Sequence, residues 1–136
     1  MISIDGTAPP LAATDNATTP LGTVTVGGVV TAVDFLPAAT ITGNGGRTLT
    51  LVKGTTVIVA RLVLAAAVDL DDLAPGMDAS PGSDPGPGEV LAAGVYERVP
   101  LTGDVRVAPG DLLSWQSTHA GSGLADPGGY VWVGVQ

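Results

Sequence analysis

The fold of this chain is decided by residues 104–136, DVRVAPGDLLSWQSTHAGSGLADPGGYVWVGVQ. Three runs of strand-forming residues, 105–107, 112–118 and 130–135, are separated by an Ala-Pro-Gly-Asp corner and a glycine-rich loop. In the last run Trp132 alternates with Val131 and Val133, a period of two that is typical of a half-buried strand. In the loop, the order Ala-Asp-Pro-Gly-Gly has turn chemistry, in which Asp126 caps the turn. The stretch therefore predicts strand, corner, strand, loop and closing strand.

The rest of the chain repeats this pattern of short apolar runs between turn residues. Val, Ala, Leu and Thr dominate the runs, and 20 Gly and 11 Pro supply breaks. Lys53 and Gly54 form a predicted two-residue hairpin turn. With 136 residues, the chain suits one domain. We predict an all-β, antiparallel two-sheet sandwich, jelly-roll-like, with about eight strands and an extended N-terminal arm. Outside the closing stretch, the predicted strands are residues 23–26, 29–36, 38–42, 47–52, 55–64 and 95–99.

Two segments differ in composition from the predicted sandwich, which spans residues 21–136. Residues 1–20 show little periodicity and contain three prolines, so they form either a floppy terminus or an arm that lies on a neighbouring subunit. Residues 69–88 hold five acidic side chains and no basic one among many Pro and Gly, which predicts a long solvated loop. Asp69, Asp71 and Asp72 in this loop are candidate metal ligands, because calcium prefers clustered carboxylates.

The overall charge and composition exclude several functions. A net charge of −8 argues against nucleic acid and anionic membranes as partners. The longest apolar stretch, residues 57–68, contains Arg61 and is too short to span a bilayer. The start, MISIDGTAPP, lacks the features of a signal peptide. The chain has no Cys and one His, which leaves no ordinary zinc site, and no motif predicts a cofactor.

Catalytic residues are not predicted anywhere in the chain. Ser117, His119 and Asp126 supply the residue types of a hydrolytic triad, but no nucleophile elbow surrounds the serine. Paired carboxylates for sugar cleavage require aromatic platforms, and the chain has one Phe, two Tyr and two Trp. We therefore expect a protein that is not an enzyme.

Contacts with other proteins are expected from the N-terminal segment and from one tryptophan. Trp115 and Trp132 are each compatible with a core position or with an exposed interface position. Trp132 is predicted to lie on the sheet face opposite its valine neighbours. The candidate interface residues are Ile2, Ile4, Pro9, Pro10, Leu11 and Trp132.

One resemblance bears on function. The corner VRVAPGDLL, followed by GSGLADPGG and YVWVGVQ, resembles the C-terminal part of small β-sandwich capsid decoration proteins of tailed bacteriophages, particularly of actinobacterial phages. It covers about residues 95–136. The resemblance implies a jelly-roll-like fold, a homotrimer at three-fold positions, the major capsid protein as partner and no catalysis. It also implies a location on the exterior of the virion capsid after synthesis in the host cytoplasm.

The expected function is thus stabilisation of a phage capsid by bridging its major capsid protein subunits. The alternative is a carbohydrate- or receptor-binding β-sandwich domain of a phage fibre. An exposed tryptophan beside Asp or Asn would favour this alternative.

Overall fold

The computed structural model describes residues 2–42, 45–64 and 89–136. The described residues form strands and turns and contain no helix, and none of them belongs to a helix able to cross a bilayer. The all-β prediction is confirmed. The strands are β1 (Ile2–Ala8), β2 (Ala17–Thr23), β3 (Gly28–Pro37), β4 (Ile41–Thr42), β5 (Gly46–Lys53), β6 (Val57–Leu64), β7 (Glu89–Leu91), β8 (Glu97–Arg98), β9 (Arg106–Val107), β10 (Leu112–Ala120) and β11 (Gly129–Val135).

Two antiparallel sheets make the sandwich. The first sheet has the order β1-β11-β3-β8, with β9 also pairing with β3, and the second has the order β2-β10-β5-β6. Among the long strands, β1 pairs with β11, β2 pairs with β10, and β5 pairs with β6. This nested antiparallel pairing is a jelly roll. The short strands β4 and β7 pair separately.

The N-terminal segment forms two strands of the sandwich. β1 pairs with β11 along its whole length, from Ile2 opposite Val135 to Ala8 opposite Gly129. β2 pairs with β10 and its register shifts near Pro20. The expectation of an arm outside the sandwich is corrected by these pairings. A prolyl residue lacks the N–H that a ladder needs, so it is accommodated at irregular or edge positions, and β2 is an edge strand.

The core lies between the two sheets and is dominated by aliphatic side chains. Across it, Phe35 of β3 stacks on Trp115 of β10, with ring centroids 5.5 Å apart. Trp115 is 1% exposed, so of the two positions considered for it, the structure places it in the core. An offset aromatic pair adds to the free energy gained from apolar burial, because the ring quadrupoles attract.

Two local predictions need correction. The β5–β6 turn has three residues, 54–56, because Lys53 pairs with Val57. Gly54 takes the left-handed conformation, with φ at 68°, which glycine adopts at little cost. The strand predicted at residues 23–26 ends at Thr23, and Val24 instead bonds through its backbone to the corner at Gly110 and Asp111.

Candidate functional site

The residues that resembled a triad form a buried polar cluster without the histidine. The Ser117 hydroxyl donates to Asp126 Oδ2 at 2.7 Å, and Asp126 Oδ1 accepts from the backbone N–H of Gly128 at 2.8 Å. Ser117 and Asp126 are both buried. The backbone N–H of His119 donates to Asn16 Oδ1, and its buried Nδ1 has no hydrogen-bond partner. The predicted cap of the turn by Asp126 is confirmed, and His119 does not hydrogen-bond to Ser117 or Asp126.

Arg47 completes this cluster. Its side chain is fully buried, and its Nη1 donates to the Ser117 hydroxyl at 3.0 Å. Its other bonds go to four backbone carbonyls, those of Ala12, Ala13, Asp15 and Leu124, at 2.6–3.1 Å. Burial lowers the pKa of Arg47, while the carboxylates of Asp126 and Asp15 raise it. Arginine stays charged in proteins, so the cluster is a buried, charge-assisted network.

This polar cluster fastens two loops to the second sheet. Arg47 reaches from β5 to the β1–β2 connection on one side and to the β10–β11 loop on the other. The backbones of Leu11 and Asp126 also exchange two hydrogen bonds, at 2.7 and 2.8 Å. We call Arg47, Ser117 and Asp126 the clamp. Both the hydroxyl and the carboxylate are already engaged and shielded from water, which gives them a structural role.

One exposed group of polar and aromatic side chains lies on the outer face of the first sheet. Trp132 is half-buried and points away from the core, as predicted, while Val131 and Val133 are buried. Directly opposite Trp132 stand Asp5 on β1 and Asp34 on β3. Asp5 accepts a hydrogen bond from the Tyr130 hydroxyl, and Asp34 Oδ1 accepts one from Arg98 Nε at 2.7 Å. We call these five residues the Trp132 face.

The indole of Trp132 lies over the neighbouring glycine of its own strand. A Cβ added at Gly134 would come within 2.8 Å of the indole Cη2 atom. The residues opposite Gly134 on β1 and β3 are Ser3 and Ala32, which are also small. This row of small residues leaves room for the indole on the sheet surface, because it has no bulky side chain to lift the ring.

Three titratable groups outside the clamp have shifted pKa values: Glu97, whose pKa is raised by desolvation, Tyr130 and Asp104. The hydrogen bond to Asp5, together with desolvation, raises the pKa of Tyr130 to about 12. The backbone N–H of Arg106 and the ammonium of Lys53 lower the pKa of Asp104. Lys53 Nζ lies 3.1 Å from Asp104 Oδ2, and this contact ties the 100–104 segment to β5.

An apolar edge lies along β6. Val57, Ile58 and Leu101 are 41%, 37% and 40% exposed, respectively. Backbone bonds from Arg61 to Pro100 and from residues 103 and 104 to β6 hold the 100–104 segment along this strand. They place Leu101 beside β6, the strand that carries Val57 and Ile58. We call these three residues the β6 edge.

The other predicted interface residues are separated from the Trp132 face. Ile4 packs partly against the core, and Ile2 lies on the same strand with 39% exposure. Pro9 and Pro10 are exposed just after β1, and Leu11 is half-buried beside Asp126. These residues follow β1 and its exit, whereas Trp132 lies on the outer face.

The candidate metal ligands Asp69, Asp71 and Asp72 lie outside the described residues. Within residues 2–42, 45–64 and 89–136, no group of three or more His, Asp or Glu side chains is placed to hold a metal ion.

Comparisons with family models, curated proteins and solved structures find no match to this chain. The resemblance of residues 95–136 to decoration proteins therefore stays a prediction.

Proposed function

We propose that this protein is a structural virion protein that decorates the outside of a phage capsid as a homotrimer and bridges major capsid protein subunits. The observation that carries the proposal is the β6 edge. Three large aliphatic side chains, two on β6 and one on the segment bonded to it, are exposed on this jelly roll, and exposed apolar side chains are candidate protein contacts. Jelly rolls also occur in viral capsid proteins, in agreement with the resemblance of residues 95–136.

The mechanism follows from mass action. A protein that binds only the assembled shell stabilises that shell by its binding free energy, multiplied over many sites. The clamp fixes the β1–β2 and β10–β11 loops, so any contact made through these loops, as distinct from the β6 edge, would lose less entropy on docking. The exposed residues Pro9 and Pro10 are further candidate contacts, in a short connection that the clamp holds.

The decisive experiment is cryo-electron microscopy of the virion, in which density for this sandwich is expected on the capsid exterior around three-fold positions. Density in the tail, or absence of the protein from purified particles, would overturn the proposal. Native mass spectrometry tests the trimer, for which three copies of a 13.4 kDa chain are expected. A monomer at micromolar concentration would remove the three-fold arrangement.

The β6 edge is tested separately by a binding assay with purified capsids. Ile58→Asp places a charge in the proposed contact and should weaken cosedimentation with the capsid. Val26→Asp is the matched control, because Val26 is 59% exposed in the connection between β2 and β3. Equal binding by both variants would argue against contact through the β6 edge.

A second candidate function is a carbohydrate- or receptor-binding domain of a fibre. It is favoured by one observation, the half-buried Trp132 with Asp5 and Asp34 directly opposite it. Jelly rolls also occur in lectins, so the fold accommodates both candidates. Virion microscopy separates them, because a fibre domain lies away from the capsid shell.

A further inference from the structure

We propose that the Trp132 face is a binding site for a neutral saccharide, with Trp132 as the stacking platform and Asp5 and Asp34 as hydroxyl acceptors. The inference specifies the ligand class and residues for the second candidate function. It also holds for a capsid protein, since the Trp132 face and the β6 edge lie on different sheets.

The first step is the shape of the platform. Trp132 is only half-buried, although its indole covers Gly134 and lies among the small residues Ser3 and Ala32. The side of the ring away from the sheet is therefore the accessible part. The C–H groups of a sugar ring pack well on such a surface, because an aromatic ring has a negative π face and C–H groups are weakly positive.

The second step is the placement of the carboxylates. Asp5 and Asp34 stand on the two strands that flank β11, so their Cα atoms are about 10 Å apart across the sheet. This spacing brackets the root of the tryptophan side chain. The carboxylates therefore lie at the base of the Trp132 side chain, so a saccharide seated on the indole meets acceptors at that end of the ring, and sugar hydroxyls are the donors that carboxylates bind most simply.

The third step is the orientation of these acceptors. Tyr130 holds one oxygen of Asp5, and Arg98 holds Oδ1 of Asp34 at 2.7 Å. Each carboxylate has further lone pairs for a ligand, because an ionised carboxylate accepts about four hydrogen bonds. The Arg98 side chain is 66% exposed and adds donors for sugar oxygens. Fixing the polar groups in advance reduces the entropy lost on binding.

The charge of the face selects among ligand classes. Two carboxylates and one guanidinium leave it acidic, in a protein whose net charge is −8. Phosphate backbones and acidic polysaccharides are repelled, whereas a neutral sugar is not. Asp5, Asp34 and Arg98 place charges beside the Trp132 indole, and this face is therefore a poorer match for a protein partner, because the cores of protein interfaces are depleted in charge.

The sheet surface also sets the expected strength. A flat face covers one side of a sugar, less than the 70–90% of surface that small-molecule pockets bury. A single site should therefore bind with a dissociation constant of about a millimolar, and several copies on one virion would bind a polymer more tightly.

Two measurements on the full chain test the proposal. The first is affinity electrophoresis in gels that contain one neutral polysaccharide each: a glucan, a galactan, a mannan or an arabinan. The second is an NMR titration with the matching oligosaccharides that follows the two tryptophan indole N–H signals. Binding should shift the indole N–H signal of Trp132 and leave the signal of Trp115 unchanged, because Trp115 is buried in the core.

The variants make the result specific to the face. Trp132→Ala should lower affinity by about tenfold or more. Gly134→Ala should fold, since only the far end of a side chain has to move, but should weaken binding by displacing the indole. Val26→Ala is the control, an equivalent loss of exposed apolar surface elsewhere.

Several outcomes would overturn the proposal. One is that none of the four neutral polymers retards the protein in the gel or shifts the Trp132 signal. Another is that Trp132→Ala is retarded as strongly as the unaltered protein. The third is that the protein binds an acidic polysaccharide, such as polygalacturonate, more tightly than the neutral polymers. If Trp132→Ala abolishes capsid binding but leaves sugar binding unchanged, the Trp132 face is a protein contact instead. Capsid location is measured independently, so failure here is distinguishable from failure of the capsid proposal.

Discussion

Replacing Arg47 by methionine tests the clamp, the central polar feature of this fold. The substitution keeps a long, flexible side chain in the core but removes five hydrogen bonds and the positive charge beside Asp126. The Ser117 hydroxyl bridges Arg47 to Asp126, and removing one charged member of such a buried network should cost at most what breaking a direct buried ion pair costs, about 3–5 kcal/mol. Three of the four carbonyl acceptors belong to residues 12–15, which are largely exposed and which water can reach. The cost should therefore be about 3 kcal/mol, at the lower end of this range.

Urea denaturation at neutral pH measures this cost. With a slope of roughly 2 kcal/mol per molar urea, the midpoint of Arg47→Met should fall by about 1.5 M. Arg61→Met is the matched control, since Arg61 is an exposed strand arginine, and its effect should stay within about 0.5 kcal/mol.

A double variant identifies the origin of the loss. Arg47→Met leaves the carboxylate of Asp126 buried without the nearby guanidinium. If this is the main cause of the destabilisation, adding Asp126→Asn should recover part of the lost stability. The sum of the unfolding free energies lost by the two single variants should exceed the loss of the double variant by about 1 kcal/mol or more. Strictly additive losses, or a loss for Arg47→Met below about 1 kcal/mol, would refute the view that the clamp is an energetic unit.

Three further perturbations test other parts of the structure. With Tyr96→Phe as background, ultraviolet titration should show Tyr130 ionising near pH 12, and Asp5→Asn should lower this pKa. Because the pKa is raised above the ordinary tyrosine value of 10.0, the stability that it contributes is fully present below pH 10 and is lost as the pH rises through 12. Trp115→Ala should cost about 3–5 kcal/mol in thermal or urea unfolding, and a loss below about 1 kcal/mol would contradict its core role. Desolvation raises the pKa of Glu97, so its charged form is disfavoured in the folded protein. Glu97→Gln should therefore raise the melting temperature at pH 7 and have little effect at acidic pH, where Glu97 is protonated. A lower melting temperature of Glu97→Gln at pH 7 would show that the carboxylate makes favourable contacts.

The closing part of the chain was predictable because its signals are local. The alternation around Trp132 requires only that one sheet face be buried, and the turn at Asp126 requires only neighbouring residues. Both features appear in the structure as expected. The two-sheet class followed in the same way from many short apolar runs divided by Gly and Pro.

The first strands were not predictable, because what determines them is far away in the sequence. β1 pairs with β11, more than a hundred residues later, and its own sequence has one alternating run too short to distinguish from an arm. The clamp was missed for a related reason. The alternation of residues 47–52 puts Arg47 on the same face as Leu49 and Leu51, but nothing in the sequence shows what it binds, because four of its five acceptors are backbone carbonyls, which leave no trace in residue identity.

The clamp and the Trp132 face are linked through β1. Asp5 stands on β1, and the connection that leaves this strand is held by Arg47 at Ala12 and Ala13. Loosening that connection allows β1 to fray from β11, which would move Asp5 relative to Trp132. The β6 edge depends instead on backbone bonds with residues 100–104. Arg47→Met at temperatures where the protein remains folded should therefore weaken saccharide binding and leave capsid binding through the β6 edge nearly unchanged. Equal weakening of saccharide and capsid binding would mean that the clamp supports the whole sandwich uniformly. If Arg47→Met instead speeds amide hydrogen exchange only in β1 and β2, the clamp supports these two strands alone.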